Sequence, residues 1–307
     1  ITQETKKRVQ AAAKSLDYQP DQRARALRLG KSNTIGLIIP DISNSFFANI
    51  AKSIEQDSFE AGYTLVVCAS NENQKKEVDF VANLISRGID GLIIAPVQDS
   101  FDHLVELKKR KYPFVLIDRC FDEFETNSII SDNETASFEA VEHLNELGHR
   151  RIGFLSGRST IYTIRKRRQG FQKAVELHGL DNREELISAG GFTFEDGYTE
   201  TAKMLLLPNP PTALLVAGNR ITIGALKAIV EANLNIPRDI SIIGFTDSIV
   251  TPYLVAPLTS IAHPLQQMGS LAFRLLLDNL NAKESLPLSR IVVKTTMHVR
   301  GSTAAVV

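Results

Sequence analysis

Two adjacent aromatic residues, Phe46 and Phe47, stand where this sequence most clearly predicts ligand chemistry. They follow the apolar run at residues 35–39, which is typical of a strand buried on both faces of a parallel sheet. Ser43 and Asn44 are favourable N-cap residues for the amphipathic helix that comes next. Ligands of open α/β sheets bind where strands end and helices begin. We therefore predict that these aromatic faces meet a ligand, although an ordinary βα unit has the same pattern.

Catalytic and metal-binding motifs are absent from the sequence. It contains no GxxxxGK[ST], GxGxxG, GxSxG or HExxH motif, and its six histidines are scattered without zinc-site spacing. The two cysteines, Cys68 and Cys120, follow apolar runs and form no disulfide framework, so we expect reduced thiols in a reducing cytosol. The sequence predicts a binding function with no catalytic residue, metal or cofactor.

Composition points to a protein with two cores and a basic arm. The 307 residues exceed the ~250–300 at which single cores stop growing. No apolar run approaches the ~18 residues of a membrane span. The 35 basic and 35 acidic residues balance overall, but residues 1–31 hold eight basic and three acidic ones. That excess predicts a polyanionic partner for the arm; a solvated charged helix is the alternative.

Strands and helices alternate from residue 32 onward. A first series has predicted strands at 34–39, 63–69, 91–95, 114–117 and 128–131. A second has strands at 152–155, 186–189, 213–216, 240–244 and 291–293, with a long amphipathic helix at 264–280. Two doubly wound parallel sheets predict an α/β protein with two lobes and a cleft between them. Before them, Thr2 can cap a helix that ends near Asp17, and the basic segment 21–29 is too short to be a stable helix alone.

Several motifs, in order from Thr2 to Ser302, resemble those of the lactose/galactose repressor family of bacterial transcription regulators. The motifs are Tyr18-Gln-Pro, Ala24-Arg-Ala-Leu-Arg, Thr34-Ile-Gly-Leu-Ile-Ile-Pro-Asp-Ile-Ser-Asn-Ser-Phe-Phe, Arg87-Gly-Ile-Asp-Gly-Leu-Ile-Ile, Val115-Leu-Ile-Asp-Arg, Glu142-His-Leu-Asn-Glu-Leu-Gly-His-Arg-Arg-Ile-Gly-Phe, Gly224-Ala-Leu, Ile236-Pro-Arg-Asp-Ile-Ser-Ile-Ile-Gly-Phe and Pro257-Leu-Thr-Ser-Ile.

The resemblance implies a helix-turn-helix headpiece, a hinge helix and a two-lobed, periplasmic-binding-protein-like core that binds a sugar and dimerises. Residues 1–20 resemble only the last helix of such a headpiece, so we expect the chain as given to bind operator DNA poorly. The implied division is 21–31 for the hinge, 32–157 with 262–288 for the first lobe, and 158–261 with 289–307 for the second.

The resemblance also assigns DNA contacts to the hinge. Leu27 stands where the family has a leucine that wedges into the minor groove, and an apolar wedge between arginines suits a widened minor groove. A plain linker is the alternative. Ala26 replaces the small polar residue that is common there, so one groove contact is expected to be lost. The predicted DNA-binding residues are Arg23, Arg25, Ala26, Leu27 and Arg28.

The family's effector contacts carry over residue by residue to the core. An aromatic face combined with planar hydrogen-bonding groups is what a sugar requires. Simple core packing is the alternative for Phe192. Asn219 stands where the family usually has Asp, and Thr246-Asp247 replaces a more usual Asp-Asp. The implied effector-binding residues are Phe46, Phe47, Asp118, Arg119, Arg167, Phe192, Asn219 and Asp247.

Two neutral replacements and the basic cluster at residues 165–168 suggest a cleft that accepts an anionic effector such as a sugar phosphate. A solvated basic helix face is the competing interpretation. The function predicted is that of a cytoplasmic, homodimeric DNA-binding repressor controlled by a sugar or sugar-phosphate effector, with no membrane partner. A periplasmic-type sugar-binding protein is the alternative, against which the basic residues 1–31 argue.

Overall fold

The computed structural model describes residues 2–15, 31–246 and 251–306. Helix α1 spans Gln3–Ser15, and the Thr2 hydroxyl accepts a hydrogen bond from the Thr5 amide at 3.4 Å, as expected of its cap. The predicted hinge residues Arg23, Arg25, Ala26, Leu27 and Arg28 lie outside the described residues, and so does Asp247.

A first sheet of parallel strands forms one lobe. Its spatial order is β11-β5-β4-β3-β1-β2. The strands are β1 (Thr34–Ile39), β2 (Thr64–Ala69), β3 (Gly91–Ile94), β4 (Phe114–Ile117), β5 (Ser128–Ser131) and β11 (Arg290–Val293).

A second sheet forms the other lobe, in the order β12-β10-β9-β8-β6-β7. All its pairings are parallel except that of β12 with β10. The strands are β6 (Ile152–Ser156), β7 (Ile187–Ala189), β8 (Ala213–Val216), β9 (Ser241–Gly244), β10 (Thr259–Ala262) and β12 (Thr296–His298).

Helices cover both faces of each sheet, which confirms the predicted pair of doubly wound lobes. Around the first sheet lie α2 (Ser45–Glu60), α3 (Gln74–Ser86), α4 (Asp102–Lys109) and α9 (Leu265–Asn281). Around the second lie α5 (Asn133–Glu146), α6 (Tyr162–Leu177), α7 (Phe194–Leu205) and α8 (Asn219–Glu231), with short 3-10 turns at Glu184–Leu186 and Thr251–Tyr253.

Strand β1 shows why these apolar runs become central strands. Ile35, Leu37 and Ile39 face the core formed with α2 and α9, whereas Ile38 faces the core formed with α3 and α4. All four side chains are fully buried. A strand with helices on both faces must be apolar at successive positions, which is why the nearly continuous apolar run in the sequence predicted it.

The predicted division of the chain between lobes was wrong at two boundaries. Strand β6 was assigned to the first lobe and belongs to the second sheet; β11 was assigned to the second lobe and pairs with β5 in the first. Helix α5 likewise packs against α6 of the second lobe. The reason is that the chain changes lobe at the end of β5 rather than after β6, and once more between β11 and β12.

Candidate functional site

A cavity of about 590 Å³ opens between the lobes, where the carboxyl ends of strands from both sheets face each other. Helices α2, α7 and α8 begin at its wall, two of them with side-chain caps: Asn44 accepts from the Phe46 amide, and Thr193 forms a capping box with Asp196. Helix N-termini present unpaired amides and a positive dipole end. The cavity is therefore polar at its rim before any charged side chain is counted.

Asp118 and Arg119 follow β4 and are both buried at the cavity wall. Asp118 has φ +66°, a left-handed conformation that turns the chain sharply at the strand end. Arg119 donates to both carboxylate oxygens of Glu72, at 2.9 and 2.7 Å, and its Nε lies 3.6 Å from Asp118 Oδ2. Burial would lower the pKa of Arg119, but the Glu72 contacts outweigh it and raise that pKa. The Glu72 carboxylate thus neutralises Arg119.

Asp118 is buried but lines the cavity, so its carboxylate is the group of this arrangement that is available to a ligand. Burial raises its pKa, with Arg119 and Arg167 opposing the shift. No described residue donates a hydrogen bond to its oxygens. A carboxylate held this way can accept hydrogen bonds from the hydroxyl groups of a ligand.

Arg167, on α6, is held by three hydrogen bonds inside the cleft. Its Nε donates to Asn133 Oδ1 at 2.7 Å, Nη1 to the Ala217 carbonyl at 3.0 Å, and Nη2 contacts His263 Nε2 at 3.2 Å. The guanidinium also stacks over the Phe245 ring, 4.1 Å from its centroid. Burial lowers its pKa to about 10, which leaves it charged at neutral pH. One N–H on each terminal nitrogen has no partner among the described residues.

Aromatic rings line both sides of the cavity. Phe46 meets the ring of Phe47 edge-on at 5.0 Å and that of His263 at 5.3 Å. Phe47 is itself buried in the first-lobe core, so it supports Phe46 more than it faces the cavity. From the second lobe, Phe192 lies so close over Gly157 that an added Cβ there would meet the ring at 2.5 Å.

Asn219 and Thr246, the two neutral residues at positions where an aspartate is more usual, contact each other. The Thr246 hydroxyl donates to Asn219 Oδ1 at 2.7 Å, and Asn219 Nδ2 donates across the cleft to the Ser45 hydroxyl at 2.9 Å. An aspartate at 219 could contact Ser45 only by accepting a hydrogen bond from its hydroxyl, the reverse of the direction seen here. The neutral residues therefore fit one another as a hydrogen-bonded set.

A second contact between the lobes lies at the cleft mouth. Arg220 Nη1 lies 2.9 Å from Asp41 Oδ2, and Nη2 donates to the Ser43 hydroxyl at 3.3 Å. Both charged groups keep access to water, which makes the pair weak. Together with Asn219 it joins the first turn of α8 to the loop before α2.

The basic cluster at residues 165–168 does not face the cavity as a unit. Arg165 pairs with Asp122 at 2.9 Å, and Lys166 lies 3.6 Å from Glu134. Of the cluster, only Arg167 is among the cavity-lining residues. The proposed basic cleft therefore reduces to one arginine from that helix.

The structure places seven predicted effector residues at one cavity: Phe46, Phe47, Asp118, Arg119, Arg167, Phe192 and Asn219. Their contact with an effector stays a prediction. Glu72, Asn133, Phe245 and His263 were not predicted. Glu72 and Phe245 follow strand ends, a positional signal that could have identified both; His263 follows β10, a strand that the sequence analysis did not identify.

None of the described helices has both the length and the apolar character needed to cross a membrane. Within residues 2–15, 31–246 and 251–306, the His, Cys, Asp and Glu side chains form no group of three or more suited to a metal ion.

Comparison with curated proteins reveals relatives along nearly the whole chain. A family model described as a periplasmic binding protein-like domain matches residues 141–303. The chain is 34% identical to the HTH-type transcriptional repressor CytR of Escherichia coli, over 99% of this chain and 89% of that protein. It is 32% identical to catabolite control protein A of Priestia megaterium, over 97% of this chain and 90% of that protein.

Solved structures give the same result. A putative ribose operon repressor from Burkholderia thailandensis superposes with a TM-score of 0.80 at 30% identity, covering 87% of this chain and 99% of that one. A LacI family transcriptional regulator from Enterococcus faecium with bound ribose has a TM-score of 0.78 at 28% identity, covering 88% of this chain and 98% of that one.

Proposed function

Since the chain belongs to the LacI family of transcription regulators, we propose that it is a repressor whose affinity for operator DNA is controlled by a small carbohydrate-type effector bound in the cleft. The observation that carries this proposal is that Asp118 of the first lobe and Arg167 of the second line the same cavity as Phe46, and that each has hydrogen-bonding capacity left over.

A sugar matches these groups in chemistry and size. Its hydroxyl groups donate to a carboxylate and accept from a guanidinium, and its apolar ring face packs on an aromatic ring. The cavity volume lies in the usual range for small-molecule sites. The ribose bound by the Enterococcus faecium relative lends support to this class of effector.

The charges favour a neutral effector over a sugar phosphate. Arg119 is paired with Glu72 and Arg220 with Asp41. Among the residues that the structure describes, the charged ones that line the cavity balance, with four arginines, Arg119, Arg158, Arg167 and Arg220, and four acidic residues, Asp41, Glu72, Asp118 and Asp196. A phosphate beside Arg167 would also approach the Asp118 carboxylate, and like charges in a partly desolvated site repel strongly.

The proposed mechanism is conformational. An effector that bridges Arg167 of the second lobe and Asp118 of the first binds one lobe arrangement better than another, and so shifts the population of states. In a homodimer, a change of lobe pose alters the spacing of the two N-terminal arms, which would couple effector binding to DNA affinity. Two-fold symmetry implies a palindromic operator.

Exposed apolar side chains on the second lobe support the proposed dimer. Ile223 and Val230 on α8 are 53% and 66% exposed, and Tyr253 and Val255 on the following segment are more exposed still. A contiguous exposed apolar patch marks a protein–protein contact, and we propose that these side chains form one. The relatives argue against the alternative, a periplasmic-type sugar-binding protein, because the match to a named repressor extends through the basic arm.

The experiment is thermal unfolding of the chain with D-ribose, other neutral sugars, and the matching sugar phosphates. A ligand at ~100 times its dissociation constant adds about 2.7 kcal/mol, which is a shift of several degrees at ~2–4 °C per kcal/mol. We expect a neutral sugar to raise the melting temperature of the wild-type chain.

Two arginine variants from the same helix provide the control. Arg167→Met should abolish the sugar-induced shift, whereas Arg165→Met, which changes a residue outside the cavity, should retain it. Stabilisation by sugar phosphates alone would overturn the neutral-effector choice. An equal shift in both variants would refute the assignment of the cavity.

A further inference from the structure

Within the described residues the chain passes between the two sheets three times, at residues 131–133, 262–264 and 293–295. Each passage joins a strand of one sheet to an element of the other lobe. Any rotation of the lobes must therefore change backbone angles in these three segments, which we call the crossovers.

The crossovers are hydrogen-bonded to one another. The Ser131 hydroxyl lies 3.0 Å from His263 Nδ1, which ties the first crossover to the second. The Asp132 carboxylate accepts from the Thr295 amide at 2.8 Å, and the Asp132 amide donates to the Val293 carbonyl at 3.2 Å. The three segments therefore form one connected unit.

Arg167 is attached directly to two of the three crossovers. Its contacts with Asn133 in the first and His263 in the second come from the same guanidinium that faces the cavity. A planar guanidinium holds its donors in fixed directions, so a shift of Arg167 toward a ligand must displace these partners or break their bonds.

The hydrogen bonds determine the protonation of His263. A guanidinium only donates, so His263 Nε2 must accept, and the ring proton is on Nδ1, where it is donated to Ser131. The Ser131 hydroxyl in turn faces Met268 Sδ at 3.4 Å. Burial, with Arg167 adjacent, holds the pKa of His263 well below its usual value, so the ring stays neutral. Phe46 and Phe245 pack against it.

We propose that His263 is a positioning residue that holds Arg167 toward the cavity and passes its displacement to the crossovers, so that effector binding and lobe movement are coupled. The coupling to an effector rests on the proposed function; the link between His263, Arg167 and the crossovers does not. A residue that only filled space would need neither the acceptor at Nε2 nor the donor at Nδ1.

The test compares His263→Leu, which removes both hydrogen bonds, with His263→Gln, whose amide oxygen can replace the acceptor for Arg167. His149→Leu is the matched control: His149 is also buried and bonds Thr212 and Ser241 at 2.9 and 3.0 Å, but within the second lobe. Hydrogen exchange without any effector is measured by mass spectrometry for peptides that contain Asp132 and Thr295. Nitrogen-15 NMR of the histidine ring reports its tautomer.

We expect crossover amides to exchange about 10-fold faster or more in His263→Leu, with most of that increase reversed in His263→Gln and none in His149→Leu. The His263 ring should carry its proton on Nδ1, and Arg167→Met should change the nitrogen-15 chemical shifts of the His263 ring. Unchanged crossover exchange in His263→Leu, or a proton on Nε2, would overturn the proposal.

A second arm adds D-ribose. If it binds, it should alter crossover exchange in the wild-type chain but not in His263→Leu; an equal response in both overturns the coupling. Failure of D-ribose to bind the wild-type chain counts against the proposed effector. The hydrogen-exchange comparison without effector then tests the link between His263, Arg167 and the crossovers on its own.

Discussion

Removing the Glu72 carboxylate should destabilise the protein without any effector present. Glu72→Ala eliminates the two charge-assisted hydrogen bonds of 2.9 and 2.7 Å that Arg119 donates. It leaves a guanidinium that is 6% exposed with a backbone contact at Pro96 and a neighbouring Asp118. Breaking a buried ion pair from one side costs ~3–5 kcal/mol.

The lower end of that range applies here, because the Glu72 side chain is 30% exposed and Asp118 still offsets part of the charge. We expect a loss of about 3 kcal/mol, equivalent to a melting temperature lower by roughly 6–12 °C. Differential scanning calorimetry at low salt measures it. Glu72→Gln, which keeps one acceptor oxygen, should give an intermediate value.

Glu200→Ala is the matched control. Glu200 is 26% exposed, close to Glu72, but its partner Lys203 is 67% exposed and bonds it at 2.7 Å. Such a surface pair is worth at most ~1 kcal/mol. If Glu72→Ala melts within ~2 °C of Glu200→Ala, the inference that Glu72 neutralises a buried arginine is refuted.

Three further predictions concern the carboxyl, the helix packing and the cleft mouth. Burial raises the pKa of Asp118 above its ordinary 3.8, so this carboxyl stabilises the folded protein below that pH and the stabilisation is lost as the pH rises. Asp118→Asn should therefore have a higher melting temperature than the wild-type chain at pH 8, and the difference should shrink toward pH 4. A lower melting temperature of Asp118→Asn at pH 8 would contradict this. Gly170→Ala puts a Cβ 2.0 Å from the backbone oxygen of Glu134, so we expect the free energy of unfolding, measured in urea, to fall by about 3 kcal/mol. The control is Gln172→Ala at an exposed neighbouring position, which should lower it by less than ~0.5 kcal/mol. A double-mutant cycle on Arg220→Ala and Asp41→Ala should give a coupling of ~0.2–1 kcal/mol that disappears at ~1 M salt; zero coupling at low salt would show that the contact does not join the lobes in solution.

Elements marked by apolar runs in the sequence were predicted correctly, whereas elements held by hydrogen bonds between buried polar groups were missed. Strands β1, β3, β4 and β5 of the first sheet are buried along nearly their whole length and were located to within a residue or two. Strands β10 and β12 were missed, because Thr259 and Ser260 are buried through hydrogen bonds that periodicity does not register. His263 follows β10 and was missed with it. The bond from Asn219 to Ser45 joins residues 174 positions apart, which no local pattern reveals.

The triple crossover also determines the order in which the protein can be completed during synthesis. The first sheet lacks its β11 strand, and the core over it lacks α9, until residues 265–293 have left the ribosome. By then the elements of the second lobe from α5 to β10 have already emerged. The first lobe therefore stays incomplete, with apolar surface exposed, while the second lobe is synthesised. Contacts between segments so far apart in sequence slow folding, and the exposed apolar surface favours aggregation in the meantime. A lobe cut out at any single boundary in the sequence would lack part of its own core.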